Sequence, residues 1–198
     1  MRTVNKTRFA ILGLLSIRPM SGYDLKQVIE ASTRNFWNES YGQIYPVLRE
    51  LTGSGLTVRE DTPKETGRER HVYSLTEEGK AELQRWLRSP IERQQVRNEL
   101  LLKLFFGAQV PLSVSIEHVE GFRARQVRAL KRYEEAETAM NLREKPDDPN
   151  RQHWLMTLSY GRHQASAAIA WCEETLAELR RHEAADSVRF SREDRPSS

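Results

Sequence analysis

Apolar positions in the first half of the chain recur at helical spacing in short blocks, each closed by a turn residue. From Arg8 to Ser16 apolar side chains point most ways round a helix, which predicts a buried one that Pro19 ends. Ser21, with Asp24 three residues on, reads as a capped start, and Leu25, Val28 and Ile29 give the next helix one core face. A loop from about Ala31 to Glu39 carries Phe36 and Trp37. In "NESYGQIYPVLREL", Ile44, Val47, Leu48 and Leu51 fall at i, i+3, i+4 and i+7. That helix is capped by Ser40 and closed by Gly53 to Gly55, yet holds Gly42 and Pro46 inside it, so its first turns should be distorted. The pattern then shifts. "LTVRED" and "RERHVYSL" are rich in β-branched and aromatic residues and flank the turn "TPKETG", which predicts a β-hairpin. Thr76 caps a further helix that ends before Pro90.

The second half predicts helices throughout. "VRNELLLKLFFGAQ" holds Leu100, Leu101, Leu102, Leu104, Phe105 and Phe106, apolar all round, so the segment should be enclosed. Pro111 stops it. A long helix follows from near Ser113 or Ser115, with Ile116, Val119, Phe122, Leu130 and Tyr133 inward. "KPDDPN" breaks the chain, with Asp148 as N-cap and Pro149 at the first helical position. In the last helix Leu155, Leu158, Ala165, Ile169, Cys172, Leu176 and Leu179 follow heptad steps, interrupted by Arg162. Residues 186–198 are polar and charged, and are expected to be disordered. The expected division is 1–90, 91–185 and that tail.

Helix, helix, helix, hairpin is the order of a winged helix-turn-helix, so the fold class is mainly α with a small β-hairpin and a helical C-terminal domain. The outward face of the third helix is then Gly42, Pro46, Arg49 and Gly53, flanked by Gln43 and Tyr45. Glycine and proline there leave no long side chain, so the backbone can lie close to a partner. Arg49 can reach guanine or phosphate, Gln43 can pair with adenine, and Ser40, Tyr41 and Tyr45 can contact phosphate. In the hairpin Lys64, Arg68 and Arg70 are spaced to track a phosphate strand. The competing reading makes Tyr41 and Tyr45 core-edge aromatics and the arginines solvated.

Charge supports a polyanionic partner only weakly. The net charge is +3, but residues 1–90 carry 14 basic and 11 acidic side chains, whereas residues 91–198 carry 17 of each. The excess therefore belongs to the winged half. A single cysteine, Cys172, precludes an intrachain disulfide and sits where a small buried apolar residue is expected. With no signal-peptide pattern and no membrane-length apolar run, the expected compartment is the cytoplasm and no membrane partner is expected.

No catalytic constellation emerges. The five histidines, His71, His118, His153, His163 and His182, include no pair three or four apart, so neither a metal site nor a cofactor is expected. Trp86, Trp154 and Trp171 are the aromatics able to line a ligand cavity. Arg162 has three readings: an ion pair across a dimer interface, a contact to an effector carboxylate, or a side chain reaching solvent from a rotated helix.

"ILGLLSIRPMSGYDLKQVI", "FWNESYGQIYPVLREL" and "GRERHVYSLTEEGKAEL" resemble the successive signatures of the PadR family of bacterial transcriptional regulators. "VRNELLLKLFFG" resembles the opening of the virulence activator α C-terminal domain of its longer members. The resemblance implies a winged domain on double-stranded operator DNA, usually repressing, with Tyr41, Gln43, Tyr45 and Pro46 in the recognition helix and Lys64, Arg68 and Arg70 in the wing. It also implies a homodimer made by the C-terminal helices, for which the heptad seam is the candidate face, and release by a small-molecule effector, aromatic or phenolic in some members. The rival from another class is a winged helix that binds protein and has no DNA role.

Overall fold

The structure is a computed structural model that describes residues 6–32, 40–62, 70–92, 97–142 and 148–193. It divides into two compact units, Met1–Gln94 and Gln95–Ser198.

The first unit is built on α1 (Thr7–Leu15), whose Phe9, Ile11, Leu12 and Leu15 are buried. Met20–Ser21 forms β1, and α2 (Gly22–Ser32) starts directly after it. The expected cap is present and reciprocal. Ser21 donates its N–H and hydroxyl to Asp24 Oδ2, at 2.9 and 2.8 Å, while the Asp24 N–H donates to Ser21 Oγ at 3.2 Å. Helix α3 (Tyr41–Gly53) buries Ile44, Val47, Leu48 and Leu51, the four positions its periodicity marks. It runs unbroken through Pro46, whose ring lies on the exposed side, so water can satisfy the Gly42 carbonyl that proline cannot pair. Its end is a Schellman turn: Gly55 takes φ +73°, the Leu56 N–H donates to the Leu51 carbonyl at 2.9 Å, and the Gly55 N–H donates to Thr52 at 3.1 Å.

Strands β2 (Thr57–Thr62) and β3 (Arg70–Leu75) form the antiparallel hairpin, in register Thr57↔Leu75 through Thr62↔Arg70. The sheet order is β1-β3-β2, with Met20 opposite Tyr73. Two residues carry no periodicity, which is why β1 escapes sequence reading. Helix α4 (Glu77–Arg88) is capped by Thr76 Oγ1, which accepts from the Gly79 N–H at 3.0 Å and donates to the Gly55 carbonyl at 2.8 Å. Gly79 lies hard against the chain: an added Cβ would come within 2.1 Å of the Leu56 carbonyl oxygen.

The second unit comprises α5 (Glu99–Phe105), a short 3₁₀ turn, α6 (Leu112–Asn141) and α7 (Arg151–Glu193). Helices α6 and α7 run antiparallel, as the pairs Glu120–Arg180, Arg123–Glu173 and Glu137–Arg162 require. Their shared core holds Val119, Cys172 and Leu176, with Leu104, Ile116, Phe122, Trp171 and Leu179 around it. Gly161 lets the helices close up, since a Cβ there would meet the Tyr133 ring at 2.4 Å.

Three expectations are corrected here. First, α5 is not enclosed: Leu101, Leu102, Phe105 and Phe106 are exposed, Phe105 by 81%. An all-apolar helix has one face too many for the single hairpin available to cover it. Second, the chain is helical over 186–193, where a disordered tail was expected. No glycine or proline lies between Gly161 and Pro196, so nothing in the backbone ends α7 earlier. Third, Asp148 does not cap α7 with Pro149 inside it. Its carboxylate accepts the Asn150 N–H at 2.9 Å in a turn, and the helix starts at Arg151.

Candidate nucleic-acid interface

The outward face of α3 is as bare as the sequence implies. Gly42, Gln43, Pro46 and Arg49 are exposed. A Cβ on Gly42 would meet only Ser40 Oγ, at 3.7 Å, and one on Gly53 would meet nothing within 4 Å. Arg49 is a cation with no ion-pair or hydrogen-bond partner among the described residues. The helix N-terminus adds unpaired N–H groups and a positive dipole end to this surface.

Two residues on this helix have different duties from those expected. The Gln43 Oε1 accepts the Ser40 backbone N–H at 2.9 Å and the Ser40 hydroxyl at 3.0 Å. It closes the capping box at the helix start, so only its Nε2 hydrogens remain to meet a base, and bidentate pairing with adenine would first break the cap. Tyr45 is 39% exposed, but its ring lies over Gly22, where a Cβ would meet it at 2.6 Å. The ring thereby sets how closely α3 approaches the start of α2, and this contact favours the core-edge reading for Tyr45. The Tyr41 side chain lies outside the described residues.

In the hairpin, Lys64 and Arg68 also lie outside the described residues. Arg70 is placed by its backbone pairing with Thr62, without its side chain. What the structure does present there is a charged cluster that sequence reading missed. Arg59 Nε and Nη2 donate to Asp61 Oδ1 and Oδ2 at 3.0 and 2.9 Å, and His71 Nδ1 lies 2.7 Å from Asp61 Oδ1. These hydrogen bonds, from Arg59 first and then His71, hold the Asp61 carboxyl below the usual carboxylate range. Arg59 and Asp61 share a strand face by their i, i+2 spacing. Only the hairpin register, His71 opposite Asp61, brings in the third member.

The second unit redistributes the remaining candidates. Ala165, Cys172 and Leu176 are buried against α6 of the same chain, and Leu179 packs beside them. A heptad seam reveals that a helix buries a face, not which helix covers it, and part of this face is covered by α6 of the same chain. Leu155, Leu158 and Ile169 are half-buried. Arg162 has a partner that none of its three readings named: it donates to Glu137 on α6 at 2.6 Å, within the chain. Trp86 belongs to the first unit, where it stacks on Phe9 with centroids 4.6 Å apart. Trp171 packs edge-on to Phe122 in the α6–α7 core, and Trp154 is half-buried near the start of α7. A cavity of about 300 Å³ instead opens between α5 and α6, lined by Glu99, Leu100, Lys103, Glu117, His118, Gly121 and Arg125. Burial raises the Cys172 thiol pKa above its ordinary value, which suits a packed apolar residue rather than a nucleophile. Among the described residues no cluster of histidine, cysteine and acids could hold a metal ion, and no helix is long and apolar enough to cross a membrane.

Comparison with known proteins agrees with this geometry. Residues 11–85 match the transcriptional regulator PadR-like family, and residues 96–180 match the virulence activator alpha C-term family. The negative transcriptional regulator PadR of Bacillus subtilis is 39% identical over 101 residues, which span 50% of this chain and 55% of that protein. The crystal structure of Bacillus subtilis PadR in complex with operator DNA superposes with a TM-score of 0.75 at 26% identity, covering 87% of this chain and 98% of that one. The same protein in complex with p-coumaric acid gives a TM-score of 0.70 at 24% identity, over 90% and 98% of the two chains.

Proposed function

Because the chain belongs to the PadR-like family of DNA-binding transcriptional regulators, we propose that it acts in the cytoplasm as a homodimeric repressor, released from operator DNA by a small molecule. The observation that carries the DNA contact is the outward face of α3: glycine and proline where bulk would obstruct, and an exposed Arg49 that has no partner among the described residues. That face suits a major groove, where the helix backbone must come close before a side chain can reach a base edge. Arg49 reads guanine or phosphate, the helix N-terminus takes phosphate, joined by Ser40 once its hydroxyl leaves Gln43, and the hairpin, with Lys64, Arg68 and Arg70, follows the backbone. No catalytic role is proposed.

The homodimer is supported by the uncovered apolar face of α5 rather than by the seam of α7. Leu101, Leu102, Phe105 and Phe106 together expose a patch that a second copy would cover, at about 25 cal/mol for each Å² removed from water. A two-fold dimer presents two recognition helices, so the operator should be an inverted repeat with half-site centres about one helical turn or a multiple apart. The effector reading is supported by the cavity between α5 and α6, whose size suits a small molecule. It is supported also by the related fold that was crystallised with p-coumaric acid.

Fluorescence anisotropy against the duplex upstream of the chain's own gene, beside a scrambled duplex of the same composition, tests the DNA role. We expect clear preference for the upstream duplex, and transcription in vitro that falls when the protein is added. Binding to neither duplex would overturn this reading in favour of a winged helix that binds protein.

A further inference from the structure

The hairpin cluster lies outside the recognition helix, on β2 and β3. Asp61 and His71 face each other across the hairpin, near its tip, and both are exposed by about two-fifths. An ionised carboxylate only accepts hydrogen bonds, so the 2.7 Å contact requires the proton of a neutral His71 to sit on Nδ1. This leaves Nε2, the far side of the ring, as the atom that takes up the next proton. Neutral, Nε2 turns a lone pair towards any phosphate that approaches and repels it. Protonated, the same atom becomes a charge-assisted donor. The charged groups facing the ring are few. Asp61 and, on the same face of β2, Arg59 are the ones among the described residues. Tyr73 follows on its own strand, and β1 brings only Met20 and Ser21 alongside β3. Glu60 points to the opposite face.

We propose that His71 is a proton-gated phosphate contact of the wing, held in one orientation and one tautomer by Asp61. The proposal rests on the DNA reading above. The proton enters at Nε2 when the ring meets a phosphate, and Asp61, whose charge persists, balances the imidazolium from behind. Protonation adds one positive charge beside Arg59 and Asp61. Contact with the backbone carries no sequence information, so the gate should act on operator and random duplexes alike.

The test measures affinity of the full chain for a short labelled random-sequence duplex and for the upstream duplex, between about pH 8 and pH 6, the range in which histidine changes charge. Wild-type protein should bind both duplexes roughly three- to tenfold tighter at the lower pH. The slope of log affinity against log salt should steepen by about 0.9, the value for one more phosphate contact. His71→Gln should bind like wild type at the higher pH and should lose the gain on acidification. His118, His153, His163 and His182 all lie in the second unit and remain in that variant, so they serve as its internal control. Asp61→Asn and Asp61→Ser release the ring from its one orientation and tautomer and should blunt the gain on acidification. An equal pH response in wild type and His71→Gln, or an undiminished gain in both Asp61 variants, overturns the proposal while leaving the DNA reading intact. Failure of wild-type protein to bind either duplex at any pH defeats the DNA reading itself.

Discussion

Replacing Gly42 with leucine separates what α3 does for the fold from what its bare face does for DNA. Gly42 is the second residue of α3, and a Cβ added there meets only Ser40 Oγ at van der Waals distance. Nothing among the described residues therefore opposes a side chain there. Leucine is a better helix former than glycine by at most about 0.8 kcal/mol, and by less in a first turn. The melting temperature should hold or rise by no more than about 3 °C for a chain of this size. Docking is another matter. The leucine would stand between the helix backbone and the groove, on the side where Arg49 must reach a base edge. Holding the helix away forfeits that contact, about 1–3 kcal/mol of discrimination, together with neighbouring phosphate contacts. Affinity for the upstream duplex should fall roughly tenfold to hundredfold or more. The assays are a thermal melt and an anisotropy titration on the same preparation. A variant that melts like wild type and binds its operator like wild type would show that this face does not touch DNA, and that the recognition helix has been misassigned.

The two apolar faces of the second unit should respond oppositely to charge. Phe105→Glu or Leu102→Glu on α5 should leave the monomer folded by circular dichroism but lower the mass seen by light scattering to that of one chain. A dimer of unchanged mass would remove α5 from the interface. Leu176→Glu instead buries a carboxylate in the α6–α7 core, and should unfold the second unit at a cost of several kcal/mol. Gly79→Ala drives a Cβ onto the Leu56 carbonyl, a backbone atom that cannot move cheaply, and should destabilise the first unit by about 2 kcal/mol or more in urea melts. Cys172 is fully buried with its pKa raised, so a thiol reagent should label it only at the rate of unfolding; fast labelling of native protein would contradict the packing of α6 on α7.

How much of this is legible in the sequence depends on whether a feature is local. The cap of α2, the buried face of α3, the hairpin and the α4 cap all follow from residues within a turn of one another, and all appear where spacing puts them. The bare face of α3 is equally local, because it is defined by which side chains are small. Features that depend on a partner element are not legible. The Ser40 bonds that occupy the Gln43 oxygen, and the Gly22 backbone beneath the Tyr45 ring, cannot be read from the spacing of either residue. Arg162 breaks an apolar seam for a reason that lies 25 residues away, at Glu137. The heptads of α7 announce a buried face and are silent on whether α6 or a second chain covers it.

The uncovered helix α5 is where the proposals for the second unit converge. Seven residues are too few to form a stable helix unaided, so α5 depends on what it packs against. One side contributes Glu99, Leu100 and Lys103 to the wall of the cavity. The adjoining surface carries Leu101, Leu102, Phe105 and Phe106 into solvent, ready for a second copy. A molecule entering the cavity would press on the same short element that the proposed dimer partner would press on from outside. Any preference of the ligand for one position of α5 then becomes, by linkage, a preference for one arrangement of the dimer, and with it one spacing of the two recognition helices. A rigid, deeply packed α5 could not transmit that preference. Its exposure, which the apolar composition alone would not lead one to expect, is what makes the coupling physically possible.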